Sequence, residues 1–516
     1  MHKLSVLYCN GRYRVAFLSS LISGIIAHGM ALFNHYYYHD DIAQLQGLGL
    51  GAVSSGRWLT SLLEFLEQWI TITPAWATTC VPLLNGIISM LFIACISCLL
   101  IKFLDIKSTV SVIIISSIMC VYPTVTCSFG YMSNAPYFMF GLLLGATGTI
   151  MLCDKSRSSW RIFLGILLMV LCISIYQAYI PFMLTLFLMA LMKRIIQKPD
   201  TKLNDIIHDG LRYLFYAVIV ALLYFLTVKL SLWITGREIT SYKGANNWSF
   251  NPLDYIKRIP TAYWRFFIPD HTLFLHRRFI FIIDVLFVVA SVLICWGVYK
   301  KNRLNGVVLL ILLCFFPLAM DFIYIMCPYD IIYAMMLYAN TLMFVLLITF
   351  GENIYEFFPI IGKWTNRLNF VACSIMIYMF VLFDNMCYMK ADLCRHQAIS
   401  YFTTLISQIK GTPGYSTDMR VAYINEQGLK DSNVEDTFYW IKLPPYRSTE
   451  RYINDYQWRN YMKLWCGYSP KEADPNEFKS LPEVLEMPSY PNSGSIAVIN
   501  GTIVVKLGAV PVEIID

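Results

Sequence analysis

The sequence predicts a polytopic α-helical membrane protein that ends in a small mixed α/β domain. Composition is the first reason: the chain is 57% hydrophobic and 14% charged, where a soluble domain carries nearly twice that charge. Patterning is the second. Apolar residues come in long uncharged blocks separated by short basic loops, and only helices or closed barrels satisfy backbone groups in lipid. A barrel would alternate over roughly 10-residue segments, and this chain does not. The third reason is that no long apolar run follows Asp384, where strand and hairpin signals take over.

The first span, Val15 to Phe33, follows Lys3, Arg12 and Arg14. Basic flanks stay on the cytoplasmic side, so this run reads as an uncleaved anchor with the segment after it outside. Residues 58–70 place Leu59, Leu62, Leu63, Leu66, Trp69 and Ile70 at helical spacing, with Glu64 and Glu67 on the other side. An amphipathic helix in the outer interface fits that pattern. Further spans are read at Trp76–Ile101, Ser108–Thr126 and Ala135–Cys153, with Lys102, Lys107, Lys155, Arg157 and Arg161 in the inner turns. Ile162 to Met192 is too long for one span and is split near Gln177–Pro181, because proline is tolerated in the first turn of a helix.

Tyr213–Trp233, Phe279–Tyr299, Gly306–Met326, Tyr333–Phe350 and Phe370–Phe383 complete the set. The total is about 11 spans, an odd number, which puts the C-terminus outside. Two domains follow: a membrane domain over residues 1–384 and an external domain over 385–516. In the latter, Arg420–Ile424 reads as a strand, Lys390–Lys410 as an amphipathic helix, and Ile496–Ile499 and Thr502–Val505 flank a hairpin turn at Asn500-Gly501.

Several function classes fall away. The net charge of +7 sits in particular loops, as membrane topology requires, and does not mark a nucleic-acid surface. Cys95 and Cys98 form a C-x-x-C inside a span with no second ligand pair, so no metal centre is expected. Cys394 and Cys466 could pair in an oxidising compartment.

Polar chemistry collects on the predicted outer face. The first outer loop carries Tyr36, Tyr37, Tyr38, His39, Asp40 and Asp41, then Gly56-Arg57-Trp58. The loop 234–278 keeps Arg265, His271, Arg277 and Arg278, and a later turn holds Tyr329 and Asp330. A carrier of lipid-linked sugars would instead place ionisable groups near the middle of the membrane. Transfer of a sugar from a lipid phosphate needs a carboxylate to take the acceptor proton and cations to hold the departing phosphate. Asp40 or Asp41 suits the first role. Arg57, Arg265, His271, Arg277 and Arg278 suit the second, and Tyr38, His39, Trp58, Tyr329 and Asp330 are candidates to bind substrate. A divalent ion at the pair is not favoured, because no third acidic ligand lies nearby in sequence.

The pair Asp40-Asp41 followed by Gly56-Arg57-Trp58, together with Ser174-Ile175-Tyr176-Gln177-Ala178-Tyr179, resembles the serotype-converting O-antigen glucosyltransferases of bacteria and their phages. That resemblance implies a GT-C-type fold with catalytic carboxylates in the first external loop and a periplasmic C-terminal domain. It implies an undecaprenyl-phosphate-linked sugar donor, usually glucose, an O-antigen or related lipid-linked acceptor, inversion at the anomeric carbon, and residence in the bacterial inner membrane. It adds Tyr176 and Gln177 to the substrate-binding candidates. Two other readings stay open at this point: a lipid-linked sugar flippase and an O-antigen polymerase.

Overall fold

The computed structural model describes residues 11–36, 39–43, 51–71, 81–154, 158–240, 251–269, 277–327, 332–425, 438–446 and 458–508. The chain forms two compact units. One comprises Met1–His35 and Gly47–Cys387, the other Tyr36–Gln46 and Tyr388–Asp516.

In chain order the helices are α1 (Gly11–Phe33), α2 (His39–Ala43), α3 (Gly51–Ser54), α4 (Trp58–Thr71), α5 (Pro82–Leu104), α6 (Thr109–Val121), α7 (Pro123–Phe129), α8 (Ala135–Cys153), α9 (Ser159–Ile175), α10 (Ile180–Gln197) and α11 (Leu203–Thr235). Next come α12 (Pro252–Ile256), α13 (Ile259–Phe267), α14 (Arg277–Lys301), α15 (Arg303–Met320), α16 (Ile323–Met326), α17 (Thr341–Phe357) and α18 (Pro359–Lys410). The C-terminal elements are β1 (Arg420–Ile424), α19 (Trp458–Cys466), α20 (Pro482–Glu486), β2 (Ile496–Ile499) and β3 (Thr502–Lys506).

Among the described residues nine helices are long and apolar enough to cross a membrane. The protein is a polytopic helical membrane protein. Helices α9 and α17, at 17 residues each, are about 25 Å long, slightly short of a hydrocarbon core. Each predicted span overlaps a helix, but residues 76–80 of the second span lie outside the described residues, and the span predicted from Tyr333 begins with two 3-10 turns, Ala334–Met336 and Tyr338–Asn340, before α17 starts at Thr341. The split near Gln177 is also present: α9 stops at an extended Tyr176, a single 3-10 turn covers Gln177–Tyr179, and Pro181 lies in the first turn of α10.

Within the first unit α1 packs on α5 and α6, α8 on α9 and α5, and α15 on α10 and α14. The buried face of α1 carries Ser20, Ser23, Gly24, Ala27 and Ala31, small groups that let helices approach closely in lipid. Buried polar groups are tied across helices. His28 Nε2 lies 2.9 Å from the Cys120 carbonyl oxygen, Asn85 Nδ2 donates to the Met132 oxygen at 3.1 Å, and Thr126 Oγ1 donates to Asp384 Oδ1 at 2.5 Å.

Loops predicted to share a face do meet. On the predicted inner side Arg12 donates to the Ile106 oxygen, Glu352 accepts from the Lys107 and Ser108 amides, and Asn305 donates to the Thr201 oxygen at 2.7 Å. On the opposite side Thr240 N donates to the Ser54 oxygen at 3.0 Å, and Thr124 Oγ1 donates to the Ala334 oxygen at 2.9 Å.

The second unit is built on a three-stranded sheet of order β1-β3-β2. β1 runs parallel to β3 with Val421 opposite Ile503, and β2 runs antiparallel to it with Val498 opposite Ile503. All five residues of the central β3 are buried. Asn500 and Gly501 have φ of 49° and 70°, the pair of positive values that a two-residue hairpin of type I′ demands. Lys506 at the end of β3 is buried. Its ammonium donates to the carbonyls of Val484, Leu485 and Met487 at 2.8, 2.9 and 2.6 Å, which satisfies the open end of α20. Cys394 and Cys466 are thiols in this structure.

Candidate functional site

The Gly56-Arg57-Trp58 turn is held from two directions inside the first unit. Gln177 Nε2 donates to the Ser55 oxygen and to Tyr224 Oη, both at 2.8 Å, while its Oε1 accepts from Arg57 Nε at 3.4 Å. Tyr224 Oη in turn donates to the Gly56 oxygen at 3.1 Å. Trp58 Nε1 donates to Thr227 Oγ1 at 3.2 Å, and Thr60 Oγ1 donates to the Ile175 oxygen at 3.3 Å. Gly56 has φ of 75°, a left-handed conformation in which glycine carries no steric penalty. A Cβ there would stand 2.6 Å from Tyr224 Oη.

The result is a fixed guanidinium. Arg57 is half-buried, and its Cζ lies 4.7 Å from the centre of the Tyr176 ring, within cation–π range. Tyr176 is buried against Phe138 and Tyr179, with ring centres at 4.9 and 5.3 Å. Tyr176 and Gln177 therefore set the direction of Arg57, and Trp58 anchors the turn to α11. α11 contributes two residues the sequence reading missed, Tyr224 and Thr227. A tyrosine and a threonine in an apolar span carry too little local signal to reveal a partner about 170 residues away.

A second polar cluster lies between α13, α15 and α16 of the same unit. Arg265 is half-buried, with its Cζ 5.9 Å from the Tyr324 ring centre, and it acts electrostatically on Asp321. Asp321 is fully buried. Of the other basic candidates, Arg277 and Arg278 begin α14 with side chains outside the described residues. His271, Tyr38, Tyr329 and Asp330 lie wholly outside them, as does the His39 side chain.

Asp40 and Asp41 belong to the second unit. An extended segment, which would send neighbouring side chains to opposite faces, is not what forms here: both residues sit in the short helix α2, which packs on α19. A helical turn still separates them. Asp40 is exposed and Asp41 is 4% exposed. Tyr36, just before α2, stacks on Tyr388, whose ring meets Tyr446 edge-on. The Arg395 guanidinium lies 5.5 Å from the Tyr36 ring centre and pairs with Asp392 at 2.8 Å. Burial, reinforced by the Asp392 charge, pushes the Tyr36 hydroxyl up to about 12. Lys390 is almost fully buried in this unit. Lys390 and Arg395 are cations that the sequence reading placed in an ordinary amphipathic helix.

On α4, burial and the neighbouring Glu67 push Glu64 up to about 7, and the Tyr137 hydroxyl donates to Glu67.

A family profile described as glucosyl transferase GtrII matches residues 29–350. The chain belongs to the GtrII glucosyl transferase family. The match covers the loop after α1, the Arg57 turn, the Tyr176-Gln177 break and the Arg265–Asp321 cluster. It agrees with the resemblance to the serotype-converting O-antigen glucosyltransferases, and the protein is an enzyme, a membrane glucosyltransferase acting with a sugar donor and a glycan acceptor. No curated protein and no solved structure matches the chain. Lys390 and Arg395 fall beyond the matched region of this GtrII family member.

Proposed function

We propose that this enzyme transfers glucose from an undecaprenyl-phosphate-linked donor to O-antigen, or a related lipid-linked glycan, at the periplasmic face of the inner membrane, with inversion. The observation that carries the reading is the held Arg57 guanidinium within the GtrII-matched region. A planar, always-charged fork is suited to a phosphate oxygen pair. The tail of such a donor stays in the bilayer, so its phosphate must be met at the membrane boundary.

The chemistry follows from those parts. An acceptor hydroxyl attacks C1 of the glucose from the side opposite the phosphate. The new C1–O bond forms as the C1–O bond to phosphate breaks, and that electron pair leaves on the phosphate oxygen. The acceptor proton passes to a carboxylate. Asp40 is the better base of the pair because it is exposed, while Asp41 is buried. Arg57 and Arg265 offset the charge that grows on the departing polyprenyl phosphate. No divalent metal is assigned a role.

The test is purified protein in nanodiscs with polyprenyl-phosphoglucose and a lipid-linked O-antigen acceptor, read by mass spectrometry. One added hexose per repeat is expected. Asp40→Asn should lower the rate about 10²–10⁴-fold, the usual share of a positioned base, with donor binding retained. Elongated polymer in place of single additions, or a parental rate in the Asp40→Asn, Asp41→Asn double variant, would refute the reading.

A further inference from the structure

The Asp321 cluster holds acceptors in need of donors. Asp321 follows the last residue of α15, fully buried, and neither carboxylate oxygen has a hydrogen-bond partner among the described residues. Its place at the C-terminal end of a helix adds an unfavourable dipole to the burial. An ionisable residue set in a membrane protein at such cost marks a functional site by default. The Tyr122 hydroxyl, also buried, links the neighbourhood: it hydrogen-bonds the Asn340 side chain and feels the charge of Asp321. Asn340 is 8% exposed, and its Oδ1 is likewise without a partner among the described residues. Three acceptor oxygens without a partner among the described residues, two on Asp321 and one on Asn340, therefore lie in the buried neighbourhood of Tyr122. Arg265, half-buried, is the cation beside them.

Unsatisfied acceptors of this kind fit a ligand rich in hydroxyl donors, and a guanidinium beside them fits a phosphate. We propose that Asp321 and Asn340 form the subsite for the sugar hydroxyls of a hexosyl-phosphate headgroup, with Arg265 holding its phosphate. The inference rests on the donor class proposed above and assigns recognition of that donor to residues the family resemblance did not supply. Asp321 acts here by binding, not by proton transfer.

The test measures kcat and KM for polyprenyl-phosphoglucose and for a set of mono-deoxy-glucose donors, using the full-length protein in nanodiscs. Wild type should lose about 10–100-fold in kcat/KM on the deoxy donor that lacks the hydroxyl facing Asp321. Asp321→Asn should lose a similar factor on the natural donor and no longer distinguish it from that deoxy donor. Asn340→Ala should show the same pattern more weakly. Arg265→Gln should lower kcat/KM by the same factor for every donor. Thermal unfolding of each variant in detergent reports folding independently. Equal losses on all donors in both Asp321→Asn and Asn340→Ala would mean a structural role and overturn the subsite, as would unchanged kinetics. If wild type transfers nothing from polyprenyl-phosphoglucose, the donor reading itself fails and the subsite falls with it. If wild type transfers and only the discrimination is missing, the subsite alone is wrong.

Discussion

Replacing Gly56 by alanine tests whether the Arg57 turn is as tightly determined as its contacts indicate. Two costs add. Alanine at φ of 75° enters the left-handed region, at about 1–2 kcal/mol. The new Cβ would stand 2.6 Å from Tyr224 Oη and 3.0 Å from Gln177 Nε2, so both groups must retreat. Their bonds to the Gly56 and Ser55 oxygens are worth about 0.5–1.5 kcal/mol each. Together this is about 2–5 kcal/mol against the native turn. If the turn yields, Arg57 moves, and a shift of about 1 Å in a positioning group can cost about 10²-fold in rate. The assay pairs thermal unfolding in detergent with initial transfer rates, for Gly56→Ala, Tyr224→Phe and the double variant. Removing the Tyr224 hydroxyl opens the space that the new Cβ needs, so the double variant should be less impaired than the two singles added together. Parental stability and rate in Gly56→Ala, or strict additivity in the cycle, would refute the reasoning.

Three further outcomes are expected. Glu64 is held near pKa 7 against an ordinary 4.5, so the folded state keeps its proton more tightly than the unfolded chain does. Stability from this group is full below about 4.5 and is lost as pH rises through about 7; Glu64→Gln should flatten the Tm profile over that window, and an unchanged slope would show that another group sets it. Lys506→Met strands three carbonyls at the end of α20 and should destabilise the C-terminal unit by about 2–4 kcal/mol, seen as faster limited proteolysis there; parental proteolysis would mean that water replaces the ammonium. A periplasm-active reporter fused at Asp516 should give signal, and activity of a cytoplasm-only reporter there would reverse the proposed orientation.

The sequence by itself determined the elements whose cause is local. Among the described residues the long uncharged runs are helical, because an unpaired backbone in lipid leaves no alternative. Asn500-Gly501 closed its hairpin because both residues accept positive φ, and Pro181 marked the restart of a helix because its missing amide is harmless in the first turn. Asp40 and Asp41 show where local reasoning stops: the segment is a short helix packed on α19, and only that packing separates an exposed carboxylate from a buried one. The same holds for the polar clusters. Arg57 and Gln177 are 120 residues apart, and nothing in either segment names the other. Asp321 is legible as a charge beside an apolar run, yet only the packing of α13, α15 and the segment around Asn340 shows that its oxygens lack donors among the described residues while Arg265 acts on it. Helix formation in lipid depends on a residue's own stretch of chain. A site depends on which stretches meet, and that is decided by side-chain packing between helices distant in sequence.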